Sequence, residues 1–161
     1  MTDDKECFFI SPIGEEGSDE RDRSDKVIEY ILKEALAEYD YTVIRADHMD
    51  EPGSITNQVI QKTTDSDLVI ADLTGHNPNV FYELAVRHAT GEPYIQIIDS
   101  EESIPFDIND FRTIKYGLDV EAADNAINQI AEQVSKLEED GQEFGNPISQ
   151  SANLESLLSS D

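Results

Sequence analysis

The chain has 161 residues, 38% of them hydrophobic, which is enough for one domain with a modest core. Its 36 acidic and 11 basic residues, spread along the whole length, give a formal charge of −25 at pH 7. Such a surface repels phosphate backbones and anionic lipid, so we exclude a nucleic-acid polymer and a membrane as partners. Concentrated salt would screen the self-repulsion, which favours a halophile's cytosol over a mesophilic acidic protein with a basic partner.

Neither the single cysteine nor the N-terminus indicates export. Cys7 lies in an apolar run and has no second cysteine with which to form an intrachain disulfide. Residues 1–6 are charged, unlike a signal peptide, and no apolar stretch is long enough to span a bilayer. We therefore predict a cytoplasmic protein.

Short apolar runs alternate with amphipathic segments along the chain. Continuous apolar or β-branched runs predict strands at residues 7–10, 41–44, 68–71 and 94–98, with a shorter, edge-like one at 113–116. Apolar residues at helical spacing predict one helix from Ser18 onward, one after each of the turns at Pro52 and Pro78, and a last one over residues 120–137.

This alternation predicts a doubly wound, flavodoxin-like or Rossmann-like α/β fold, in which a five-stranded parallel sheet lies between two layers of helices. Ligands of such sheets bind beyond the carboxyl ends of the strands, where the strand order reverses. With the order 2-1-3-4-5, the loops at residues 11–17 and 72–79 should meet there. We assign residues 1–137 to this domain and expect residues 138–161, which are acidic and rich in Ser, Asn and Gln, to form a disordered tail.

The loop after the third strand leads into a helix that carries Glu83. Its sequence neighbours are apolar, so we expect the carboxylate to emerge from a partly buried environment near the pocket floor. A Glu near a helix start also has a simpler explanation, because it matches the helix dipole and Arg87 at i+4 could pair with it on the surface. Spacing alone does not decide between these interpretations.

The loop after the first strand has features of an anion site. Gly14 and Gly17 allow close backbone approach, and Arg21 and Arg23 would add positive charge at the start of the following helix. The opposing interpretation is an ordinary acidic loop, because the acidic residues between 15 and 20 repel an anion. The three histidines show no metal-ligand spacing, so we predict no metal and no cofactor.

Three segments resemble a known superfamily: SPIG at residues 11–14, ADLTGHNPNVFYEL at 71–84 and GEP at 91–93. They are similar to the nucleoside 2-deoxyribosyltransferase-like superfamily, which resembles the 2'-deoxynucleoside 5'-phosphate N-hydrolases and, more distantly, the NAD-cleaving TIR-type domains. The similarity covers roughly residues 5–118, and its most specific part is the Asn-rich turn that leads into Tyr-Glu-Leu.

The resemblance implies that Glu83 is the nucleophile that attacks the anomeric carbon of a nucleoside. A carboxylate suits this role, because it can stabilise the positive charge that develops on the sugar or trap it as a glycosyl ester. The classical transferases carry Asp where this chain has Asn77. An amide cannot act as an acid, so protonation of the leaving base would fall to Asp72 or to solvent, and hydrolysis is favoured over transfer.

The resemblance also implies a binding site and an assembly. Residues 104–108, Arg112 and Tyr116 would form a pocket wall or a subunit contact, and a homodimer or larger homo-oligomer would complete the site. The implied substrate-binding residues are Ser11, Pro12, Ile13, Gly14, Asn77, Asn79 and Tyr82.

Three other functions compete with cleavage of an N-glycosidic bond in a nucleoside or nucleotide. NAD cleavage, as in TIR-type domains, uses the same chemistry. A non-catalytic nucleotide sensor would keep the pocket without turnover. A phosphoacceptor receiver domain is rejected, because Ser11-Pro12 stand where its Mg²⁺-binding acidic residues would follow the first strand.

Overall fold

A computed structural model describes residues 5–48, 55–103 and 113–140 of the chain. Its strands form one sheet in the order β2-β1-β3-β4-β5, and every neighbouring pair is parallel. The predicted five-stranded parallel sheet and its strand order are confirmed, and each predicted strand lies within an observed one. The strands are β1 (Lys5–Ile10), β2 (Tyr41–Arg45), β3 (Leu68–Asp72), β4 (Tyr94–Asp99) and β5 (Thr113–Tyr116).

As predicted, helices follow β1, β2, β3 and β5. The first is one continuous helix made of α1 (Asp19–Lys26), a π-helical segment (Val27–Leu32) and α2 (Lys33–Ala35). The π-helical segment was not predicted, because apolar spacing does not distinguish i→i+5 from i→i+4 hydrogen bonding. The remaining helices are α3 (Ile55–Asp65), α4 (Pro78–Thr90) and α5 (Val120–Asp140).

The last helix extends three residues beyond its predicted end at Leu137. Glu138, in this extension, accepts hydrogen bonds from Lys5 Nζ at 2.6 Å and Tyr41 Oη at 3.2 Å. The helix terminus is therefore fixed to the first two strands. The rest of the predicted tail, residues 141–161, lies outside the described residues, as do residues 104–108 and Arg112.

The sheet is buried on both faces, since successive side chains of a strand point to opposite sides. On one face Phe9 packs with the first helix and with α5, whose Ile130 and Val134 are fully buried. On the other face Phe8 packs with α4 residues such as Leu84. This gives the predicted three layers, with the sheet in the middle. No helix within the described ranges is long and apolar enough to cross a membrane.

Candidate active site

A cavity of about 270 Å³ lies beyond the carboxyl ends of β1 and β3, where the strand order reverses. Its walls come from the loop after β1, the first turns of α1 and the turn between β3 and α4. The two loops that the strand order predicts to meet therefore face one cavity. It is lined by Pro12, Glu20, Arg23, Ser24, Asp72, Thr74, Gly75, Asn77 and Pro78.

Asp72, the last residue of β3, is the most firmly held side chain of the cavity. It is 1% exposed, and burial raises the pKa of its carboxyl. Its Oδ1 accepts hydrogen bonds from the Thr74 backbone N–H at 3.0 Å and from Thr74 Oγ1 at 2.6 Å. Its Oδ2 accepts one from Tyr116 Oη at 2.6 Å. Both oxygens are thus fixed, while burial favours the protonated form that a general acid needs.

Tyr116 was expected in a pocket wall or a subunit contact, and this prediction is wrong. It is fully buried on β5 and does not line the cavity; its hydroxyl contacts Asp72 from behind the wall. Thr74 supports the same carboxyl and also accepts a hydrogen bond from Asp99 N at 2.9 Å. The sequence gives no signal for this arrangement, because Tyr116 and Asp72 lie 44 positions apart.

Asn77 lines the cavity and also begins α4. Its Oδ1 accepts hydrogen bonds from the backbone N–H groups of Asn79 at 2.8 Å and Val80 at 3.4 Å, and Pro78 occupies the first helical turn. Its carboxamide nitrogen makes no hydrogen bond within the part of the chain that the structure describes. Asn77 therefore has a structural role as a helix cap and still offers a donor to a ligand.

Glu83 lies on α4, five residues after Pro78, which is roughly 7.5 Å along the helix axis. Its side chain is half-buried, and desolvation raises the pKa of its carboxyl to about 7. Among the described residues it has no hydrogen-bond or ion-pair partner. It does not line the cavity itself, and neither do Asn79 and Tyr82, the latter being 62% exposed.

Arg87 does not pair with Glu83, so the surface ion pair considered from the sequence is absent. Its guanidinium is fully buried and donates hydrogen bonds to backbone carbonyls instead. Nε and Nη2 contact Pro93 O at 3.1 and 2.8 Å, and Nη1 contacts the carbonyls of Thr63 and Thr64 at 3.1 and 3.2 Å. Arg87 thus ties α4 to α3 and to the start of β4.

In the first loop, Pro12 lines the cavity, whereas Ser11, Ile13 and Gly14 do not. Ser11 lies behind the cavity wall. Its Oγ is 2.6 Å from the Oγ of Ser24, which lines the cavity. Arg45, only 3% exposed, donates from Nη1 to the same Ser24 oxygen at 2.8 Å. The serine pair therefore connects β1 to α1 behind the cavity wall.

Gly14 shapes the entry to α1. It has φ +65°, and a Cβ there would lie 2.5 Å from Ser18 Oγ. That oxygen caps α1 by accepting from the Arg21 backbone N–H at 3.2 Å. The Arg21 guanidinium does not line the cavity; it pairs with Asp47 at 3.6 Å and donates to Gly14 O at 3.4 Å.

Arg23, by contrast, lines the cavity and makes no ion pair or hydrogen bond with any described residue. Glu20, one turn before it, is exposed at the cavity rim. In the described ranges no group of His, Cys, Asp and Glu side chains is arranged to hold a metal ion. The cavity therefore combines one cation, one buried carboxyl and the free amide nitrogen of Asn77.

No protein-family model matches the chain, and no curated protein has a detectably similar sequence. Solved structures do match its fold. A 2-deoxyribosyltransferase from Bacillus psychrosaccharolyticus is 14% identical with a TM-score of 0.53, over 68% of this chain and 85% of that enzyme. The CMP N-glycosidase BcmB of Clostridium botulinum is 16% identical with a TM-score of 0.50, over 82% and 98%.

A 2-deoxyribosyltransferase from Leishmania mexicana is 16% identical with a TM-score of 0.46, over 60% of this chain. The chain spans 65% of the length of that enzyme. At these identities the similarities to the Bacillus transferase and to the Clostridium glycosidase establish a shared fold. They agree at that level with the superfamily that the sequence motifs resemble.

Proposed function

We propose that this protein is an enzyme that cleaves the N-glycosidic bond of a nucleoside or nucleotide. The observation that carries the proposal is the environment of Glu83, a half-buried carboxylate with a pKa raised to about 7 and no partner among the described residues. A carboxyl with a perturbed pKa is a candidate for a catalytic group, and Glu83 lies on the helix whose first turn lines the cavity. The Bacillus deoxyribosyltransferase and the CMP N-glycosidase share the fold, and their names describe activity on such bonds. Both support the same chemistry for this protein.

In the proposed reaction, the substrate occupies the cavity and its sugar extends along α4 to Glu83. The carboxylate attacks the anomeric carbon, a C–O bond to Glu83 forms, and the C–N bond to the base breaks with its electron pair leaving on the base. Water then attacks the glycosyl ester, which releases the sugar and regenerates Glu83. Poor solvation makes the ionised carboxylate a better stabiliser of positive charge on the sugar than an exposed one.

Asp72 is the proposed source of the proton for the leaving base. It lines the cavity, and burial raises its pKa, so its protonated form is more accessible than that of a surface aspartate. Thr74 and Tyr116 hold the carboxyl in one orientation. Asn77 would contact base or sugar through its amide nitrogen.

The test incubates the protein with a panel of nucleosides, nucleoside monophosphates and NAD, in both molar KCl and dilute buffer. Chromatography measures the free base that is released. We expect Glu83→Gln to lower kcat by at least ~10³-fold, because the amide is no nucleophile. Glu34→Gln, the same change at an exposed helical position, is the control and should leave kcat unchanged.

Three outcomes separate the alternatives. Base release from NAD alone would reassign the substrate to a dinucleotide. Full activity in Glu83→Gln would overturn the assigned nucleophile. Nucleotide binding by calorimetry without any base release, in folded wild-type protein, would replace the enzyme by a nucleotide sensor.

A further inference from the structure

The carboxyl of Asp72 is surrounded by hydrogen-bond donors. Its Oδ1 accepts from the backbone N–H and the hydroxyl of Thr74, and its Oδ2 accepts from the hydroxyl of Tyr116. Asp72 is 1% exposed and Tyr116 is fully buried, so the protein rather than bulk water solvates this carboxyl. Three donors directed at two oxygens stabilise the ionised carboxylate, which only accepts hydrogen bonds, more than the protonated acid.

The hydroxyl of Tyr116 can donate to either of two oxygens. It lies 2.6 Å from Asp72 Oδ2 and 3.2 Å from Thr74 Oγ1. Thr74 Oγ1 accepts from the Asp99 backbone N–H at 2.9 Å and donates its own proton to Asp72 Oδ1, so it keeps one lone pair for Tyr116. A rotation of the Tyr116 O–H bond is therefore enough to follow a change in the charge of Asp72, and no heavy atom has to move.

Arg23 on α1 lines the same cavity and is the cation that acts on Asp72. Burial raises the pKa of the Asp72 carboxyl, while the hydrogen bonds from Thr74 and Tyr116 and the charge of Arg23 oppose the rise. The acidic side chains of the adjoining elements are exposed or accept a hydrogen bond from a backbone N–H: Glu20 on α1, Asp99 on β4 and Glu102 after β4. Tyr116 does not line the cavity, so its hydroxyl can be removed without altering a charge or the cavity wall.

We propose that Tyr116 is a positioning residue, which stabilises the carboxylate that Asp72 becomes when it gives its proton to the leaving base. As the C–N bond breaks, its electron pair leaves on the base, the proton passes from Asp72 to the base, and the negative charge remains on Asp72. The donors of Tyr116 and Thr74 already point at this charge, so no reorganisation is needed during the reaction. The inference rests on the proposed function, because it concerns the acid of that reaction.

A carbon-13 NMR titration of the Asp72 carboxyl, assigned with Asp72→Asn, tests the hydrogen bond without any turnover. Tyr116→Phe removes the hydroxyl and keeps the ring, so we expect Asp72 to ionise at a pH that is higher by roughly one unit. Tyr94→Phe makes the same change at a buried tyrosine at the opposite end of the sheet, and should leave the titration of Asp72 unchanged. An unmoved titration in Tyr116→Phe would overturn the proposal.

Rates of base release distinguish an effect on the acid from a general loss of structure. Guanosine and 7-methylguanosine are compared, each also as its monophosphate, because the positively charged 7-methylguanine leaves without taking up a proton. We expect Tyr116→Phe to lower kcat/KM for guanine release by roughly 10- to 100-fold and to move its fall at high pH upward. Release of 7-methylguanine should stay near the wild-type rate. Equal losses for both bases would contradict the role of Tyr116.

The failure of this inference and that of the proposed function have different signatures. If no nucleoside or nucleotide is turned over, the proposed function fails, while the NMR titration still decides whether Tyr116 stabilises the Asp72 carboxylate. If Tyr116→Phe does not fold, the wild-type protein decides the question, because the Cζ resonance of Tyr116 should shift with the same midpoint as the Asp72 carboxyl. A Tyr116 resonance that does not follow the ionisation of Asp72 would overturn the proposal.

Discussion

Glu83 is isolated because of where the neighbouring arginine goes. A Glu and an Arg spaced i, i+4 on a helix ordinarily pair on its surface. Here Arg87 lies on the buried side of α4 and donates hydrogen bonds to the carbonyls of Thr63, Thr64 and Pro93. Burying an arginine is costly unless its donors are satisfied, and three backbone carbonyls satisfy them. Glu83 consequently keeps a raised pKa of about 7 with no cation beside it in the described ranges.

This isolation predicts a pH profile for the proposed reaction. The nucleophile must be ionised, so kcat/KM should rise about tenfold per pH unit below pH 7. Because Asp72 must be protonated to act as the acid, kcat/KM should fall again at the pH at which Asp72 ionises. The measurement is the rate of base release from the best substrate between about pH 5 and 9. A flat profile across pH 7 would contradict the assignment of Glu83.

The same pKa predicts a stability difference. The folded protein holds the Glu83 proton up to about pH 7, against a usual pKa of 4.5, so the folded state binds more protons than the unfolded state between these values. The free energy of unfolding should therefore fall as pH rises from 4.5 to 7. Glu83→Gln cannot ionise, and urea titrations of the two proteins should diverge in that window, with the variant becoming relatively more stable at higher pH.

At the scale of elements, the start of α1 depends on one glycine. Gly14 has φ +65°, and a Cβ there would come within 2.5 Å of Ser18 Oγ, the oxygen that caps the helix. If Ser18 rotated away to make room, the cap to the Arg21 N–H would be lost. Gly17 has a similar φ of +85°, but a Cβ there would meet nothing within 4 Å.

These two glycines give a matched pair of variants. Gly17→Ala should cost about 1 kcal/mol, the strain of a left-handed residue, while Gly14→Ala should cost about 2–3 kcal/mol because the cap is lost as well. Urea denaturation of both variants measures the difference. Equal costs would show that the contact with Ser18 contributes nothing to stability.

Continuous apolar runs predicted the strands well, because the strands of a parallel sheet that is covered on both faces have apolar side chains on both sides. The same strand order predicted that Pro12, Asp72 and Asn77 would share one cavity. What could not be predicted depends on contacts distant in sequence. The hydroxyl of Tyr116 on β5 reaches Asp72 on β3 across the intervening strand β4. Ser24 of α1 lies in the cavity wall next to Ser11, which follows β1.

At the scale of the whole molecule, the acidic surface predicts that stability depends on salt concentration. A net charge of −25 on 161 residues gives strong self-repulsion in the compact state. Most of the described lysines and arginines already form ion pairs, such as Lys62–Glu6 and Lys33–Glu29. Added salt screens long-range repulsion first, because the Debye length falls from about 10 Å at 0.1 M to about 3 Å at 1 M.

We therefore expect Tm to rise by roughly 5–10 °C between about 0.1 and 1 M KCl, which at roughly 2–4 °C per kcal/mol corresponds to a few kcal/mol of relieved repulsion. Stabilisation by charge screening reaches a limit once the Debye length is shorter than the distance between charges. Stabilisation by a solute that is excluded from the protein surface, such as sucrose, keeps increasing with the solute concentration. A plateau above about 1 M KCl identifies repulsion as the cause.

Replacing the exposed Glu15, Glu16 and Asp19 by their amides should reduce the salt-dependent rise, because each removes one charge without removing an ion pair in the described structure. A Tm that is independent of KCl would contradict this prediction. So would an equal rise of Tm with KCl in the wild type and in the neutralised variant, or an equal rise of Tm with sucrose in place of KCl.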